Sequence, residues 1–140
     1  MALTMMEDLI PLDSQSLRTI RGATSIFDWY GAWPTFHDSY LLDVRFSTWQ
    51  SSYIRLHVYK AFDNSLGSEA VVTMFLGRLL SNELVGAADQ LLGVTIYKRD
   101  DIYRIVIEGS FSVSGVIETD SIWFAFTRWP PEEFDDQPPP

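Results

Sequence analysis

The chain has 140 residues, 46% of them hydrophobic and 14% aromatic, with a formal net charge of −9. This size and composition suit one globular domain with its own core and exclude the disordered class. The acidic balance disfavours nucleic acid and anionic membrane surfaces as partners, and the absence of cysteine excludes disulfides, thiol catalysis and Cys-ligated metal centres.

Part of the charge lies in Glu132, Glu133, Asp135 and Asp136, so residues 1–129 carry only −5. Residues 1–8 lack the positive region of a secretory leader, and no run approaches the ~18 apolar residues of a membrane span. The chain is therefore expected to be cytoplasmic, with no membrane partner.

Residues 1–23 have no clean period: Met5, Met6, Leu9 and Ile10 form an apolar clump that Pro11 interrupts. From residue 24 a short helix is expected, capped by Thr24 or Ser25 and running through Ile26, Phe27, Trp29 and Tyr30. Gly31 supplies the left-handed residue that ends it.

Period-two alternation follows, with Leu42, Val44 and Phe46 on one face of a strand and Leu41, Asp43 and Arg45 on the other. Ile54, Leu56 and Val58 repeat the pattern, which turns His57 away from the aliphatic face. Residues 61–69 read as a loop and 71–76 as a β-branched strand. Residues 79–92 are ambiguous, with a short strand at 84–85 and one helical turn over 87–92 ended by Gly93 as the local reading.

Four apolar runs, 94–98, 102–108, 111–117 and 122–127, then form an antiparallel meander. Gly109-Ser110 suits a two-residue hairpin turn, which would set Glu108 opposite Phe111 and Val106 opposite Val113. The runs at 103–107 and 122–126 are apolar on both faces and should be covered on both. Residues 130–140, rich in Pro and acid, read as a flexible tail that buries almost nothing.

The fold expected is mainly β, with α+β as the alternative: an antiparallel two-layer sheet or partly open barrel of about seven strands with one or two short helices. Its domain spans residues 24–129, between an N-terminal segment of uncertain structure, 1–23, and the tail, 130–140.

Unusual chemistry concentrates in residues 29–38, where Trp33, Pro34, Phe36, His37 and Asp38 are the candidate site, either a partner-binding stretch or a structural corner. His37 and Asp38 invite a general-base reading, yet neighbours on an extended backbone point to opposite faces, which favours a plain turn-and-cap role. With only two histidines, twenty positions apart, and no phosphate loop, Gly-x-Ser-x-Gly elbow or His-Glu-x-x-His, no catalytic residue, metal or cofactor is expected. The aromatics favour core over the lining of a ligand cavity.

The run Ile26-Phe27-Asp28-Trp29-Tyr30-Gly31-Ala32-Trp33-Pro34-Thr35-Phe36-His37-Asp38, followed by Leu42-Asp43-Val44-Arg45-Phe46, resembles the immunity protein 50 family of bacterial polymorphic-toxin systems. A fainter likeness continues through residues 71–76 and 84–86, and departs at Ala87-Ala88-Asp89-Gln90, where the family tends to a polar step. The resemblance implies a small cytoplasmic protein, not an enzyme, that binds and neutralises a cognate toxin. The acidic balance is compatible with a basic toxin domain as that partner. A small-ligand-binding β domain and a His37-dependent enzyme are the alternatives.

Overall fold

The computed structural model describes residues 10–60, 67–134 and 136–138; the clump at Met5, Met6 and Leu9 and most of the loop expected over 61–69 lie outside them. Two helices, α1 (Ser14–Arg18) and α2 (Ala23–Tyr30), precede eight strands among the described residues. The strands are β1 (Tyr40–Arg45), β2 (Ser52–Tyr59), β3 (Glu69–Leu76), β4 (Leu79–Asn82), β5 (Leu91–Arg99), β6 (Ile102–Gly109), β7 (Ser114–Thr119) and β8 (Ile122–Arg128). They make two four-stranded antiparallel sheets, ordered β1-β2-β3-β8 and β4-β7-β6-β5. The protein is thus mainly β and two-layered, not a closed barrel.

The alternation in β2 and β3 builds the first sheet. Ile54, Leu56 and Val58 meet Val72 and Met74 on the inner face, where β8 adds Ile122 and Phe124. Opposite them, Leu91, Val94, Ile96, Ile105, Ile107 and Ile117 supply the second layer. A core of this kind, apolar on both inner faces, is what holds two sheets together in water.

A bent ribbon joins the layers. β3 runs on into β4 through Gly77 and Arg78, and β7 runs on into β8 through Asp120 and Ser121, so each of these chains leaves one sheet for the other. Gly77 N–H donates to Ser121 O at 2.9 Å, and Asp120 Oδ1 accepts from Arg78 N–H at 2.9 Å. A Cβ at position 77 would stand 2.0 Å from Ser121 Oγ and 2.3 Å from Asp120 Oδ1, so a larger residue there would have to displace the two side chains at the bend. The expected four-run meander is corrected here: β5, β6 and β7 pair in series, but β8 crosses to β3.

Five further local expectations are revised. In β1 a bulge between Leu41 and Asp43 reverses the alternation, so Leu41 opposes Leu56 and Val44 opposes Ile54, on one and the same face. Helix α2 starts after Gly22 at φ 86°, with no side-chain cap from Thr24 or Ser25, because Phe124 N–H bonds Arg21 O at 2.8 Å and brings the backbones too close for a side chain at 22. Gly31 ends the helix as expected, at φ 90°. No helical turn forms over 87–92: Val85 makes an isolated bridge to Ser114, and β5 begins at Leu91.

The β6–β7 connection is also longer than a two-residue turn. Glu108 opposes Ser114 and Val106 opposes Val116, three residues beyond the expected partners. Finally, the tail does bury surface. Phe134 lies over the Arg55 guanidinium at 4.6 Å from its ring centre, and Arg45 Nη2 donates to Asp136 O at 2.6 Å. Ser51 Oγ also contacts Gln137 Oε1 at 2.8 Å.

Candidate functional site

Between α2 and β1 the chain must reverse within residues 31–39, and it does so under tight backbone control. Val94 N–H donates to Thr35 O, Asp38 N–H to Leu91 O at 2.9 Å, and Leu91 N–H to Ser39 O at 2.7 Å, which clamps the reversal onto β5. Between those bonds Phe36 and Asp38 take φ values of 64° and 66°. Such left-handed conformations are costly for side-chain-bearing residues and persist only where surrounding contacts impose them.

The candidate residues divide into two groups. Trp33 packs its ring against Phe27, Phe36 and Phe124 at centroid distances of 5.3, 5.9 and 5.0 Å. Pro34 is buried and Phe36 is 2% exposed, so these three are a plug at the edge of the core. His37 and Asp38 instead face water, with side chains 58% and 50% exposed.

His37 Nδ1 and Asp38 Oδ2 lie 3.1 Å apart. The expectation that these neighbours point to opposite faces is therefore corrected, because Asp38 is left-handed rather than extended. Gln90 Nε2 donates to Asp38 Oδ1 at 3.1 Å and fixes the carboxylate. Among the described residues neither ring nitrogen of His37 has a hydroxyl or ammonium partner, and His37 lines none of three open grooves of about 320, 760 and 340 Å³. The pair is thus an oriented, solvated polar feature.

Gln90 ties this corner to two further loops. Ser110 N–H donates to Gln90 O at 2.9 Å, and the Asp89 carboxylate accepts from Phe111 N–H at 3.0 Å and Ser112 N–H at 2.7 Å. Ala87 N–H bonds Ser112 Oγ, and Val85 and Ser114 exchange backbone bonds. The Ser112 N–H, with that of Phe111, holds the Asp89 carboxyl below its usual range. The motif reading missed Asp89 and Phe111; the signal was Ser110, Ser112 and Ser114 alternating through a supposed strand start, a turn-rich composition.

A second polar cluster occupies the outer face of the first sheet, where the alternation in β2 places Tyr53, Arg55 and His57. Arg55 is 3% exposed, stacks on Tyr53 at 4.1 Å, donates to Thr73 Oγ1 and lies 3.7 Å from Asp43 and 3.8 Å from Asp136. His57 stacks on Trp129 at 3.8 Å and places Nε2 3.0 Å from Glu69 Oε1. These contacts are made within the chain, so the face reads as structural packing. Among the described residues no group of three or more His, Asp or Glu is placed to hold a metal ion, and no helix is long and apolar enough to cross a membrane.

No protein-family model matches the chain, and no curated protein or solved structure is similar to it at a significant level.

Proposed function

We propose that this protein is a non-catalytic binder that neutralises a cognate toxin by protein–protein contact, as an immunity protein does. The observation that carries this reading is the division of the Trp-Pro-x-Phe-His-Asp motif. Its aromatics pack against Phe27 and Phe124 and its backbone is bonded to β5, while His37 and Asp38 stand in water as a fixed polar projection rather than at the bottom of a pocket. A pre-ordered projection suits recognition, since little freedom is lost on contact. The net charge of −9 favours encounter with a basic toxin domain.

The test is genetic and biochemical. The neighbouring gene is expected to encode a large secreted protein with a toxin-like C-terminal domain. That fragment should arrest growth when expressed alone, and co-expression of this chain should restore growth and give a stable complex. Failure to bind or protect, together with consumption of a substrate that is lost in His37→Ala, would establish an enzyme instead.

A further inference from the structure

The loop that joins β6 to β7 carries a feature that folding does not use. Phe111 is 89% exposed, the largest exposure among the described large hydrophobic residues. A lone exposed apolar side chain is ordinary on a protein surface. What sets Phe111 apart is the backbone beneath it. The Asp89 carboxylate holds the amides of Phe111 and Ser112, Gln90 O holds that of Ser110, and Ser112 Oγ holds Ala87 N–H. Gly86 lies so close to Ser112 that a Cβ there would meet its carbonyl oxygen at 2.3 Å. The phenyl ring is thus displayed on a loop fixed from below by its neighbours.

The surroundings select a partner. Through Gln90 and Asp89 the Phe111 loop is bonded to the 35–40 corner and to the 82–92 connection. These three segments, 35–40, 82–92 and 108–116, contain Asp38, Glu83, Asp89 and Glu108 and none of the chain's ten Lys and Arg residues. Glu83 and Glu108 are exposed, and Val85 at 64% and Leu92 at 48% add apolar surface. An apolar knob on bonded segments that carry four acidic residues and no Lys or Arg is the complement of a basic protein surface that has an apolar pocket.

We propose that Phe111 is the aromatic anchor by which this chain grips a basic protein partner, with Asp38, Glu83 and Glu108 as its acidic rim. The proposal rests on the binder reading above and names the contact surface. It also excludes Trp49, the next most exposed aromatic among the described residues at 83%, which lies past the opposite end of β1, on a groove shared with Arg78.

The experiment uses the full chain and the toxin fragment identified by co-expression, with affinity measured by calorimetry. Phe111→Ala should weaken binding by at least about 30-fold, with thermal stability unchanged, because anchors of this kind dominate interface energy. Trp49→Ala should stay within about threefold of the parent. Asp89→Ala, which keeps the ring but frees the loop, should weaken binding about fivefold through lost pre-organisation. Glu83→Gln with Glu108→Gln should weaken binding at low salt and match the parent at high salt. Parent-like binding by Phe111→Ala, or a large loss in Trp49→Ala alone, overturns this surface and leaves the binder reading intact. Absence of binding by the parent chain overturns both.

Discussion

Phe36 and Asp38 are held in left-handed backbone conformations two positions apart, and what they gain is a division of labour between adjacent side chains. The same strain that buries the Phe36 ring swings His37 and Asp38 into hydrogen-bonding reach on the surface. Trp33 and His37 should therefore respond very differently to truncation. Trp33→Ala removes a ring packed against three others and should destabilise the fold by about 3 kcal/mol or more, whereas His37→Ala should change stability by less than about 1 kcal/mol, since exposed pairs contribute little. Urea titration of both variants measures this. A Trp33→Ala variant as stable as the parent would remove the structural role from the corner.

At the scale of elements, the strands whose side chains see one environment per face were legible from alternation, and β2 and β3 are the clear cases. The reading failed where a backbone device interrupted the period. In β1 a single bulged residue moved Leu41 to the core side, and nothing in Leu41-Leu42-Asp43 distinguishes a bulge from plain alternation. At Gly109-Ser110 the local preference for a tight turn lost to the Asp89 carboxylate, which lies 22 and 23 positions upstream of the amides it holds and which no local pattern reveals. The candidate corner was legible as a composition, but its chemistry was not, because whether His37 meets Asp38 depends on one dihedral angle. The tail was misread for a similar reason: its prolines cannot build a ladder, yet Phe134 needs only a guanidinium to lie on. Truncation after Trp129 should lower the melting temperature by roughly 3–6 °C, corresponding to about 1–2 kcal/mol for a chain of this size. The drop should shrink in Arg55→Met, whose side chain no longer depends on Phe134 and Asp136. Equal drops in both backgrounds, or none, would detach the tail from Arg55.

The whole molecule is organised by exchange of strands between its layers. Because β3 and β8 pair in one sheet and continue into β4 and β7 of the other, neither sheet has a separable core. Heat should therefore unfold the protein in a single transition, with calorimetric and van't Hoff enthalpies equal. Two resolved transitions would show that the sheets melt independently.

The bend at Gly77 also sets an order of events in time. β3 is buried along nearly its whole length, and it finds β2 close by in the chain, but its other edge waits for β8, with Ala70 pairing Arg128 and Leu76 pairing Ile122 across the second half of the sequence. Closing so distant a pair is slow by the standards of small domains, on the order of milliseconds to seconds. Through that interval an apolar strand stands with one row of amides and carbonyls unmatched, an edge on which a second unfinished chain can lay itself. Self-association is therefore expected to be strongest before β8 pairs, so that the yield of refolded protein should rise on dilution.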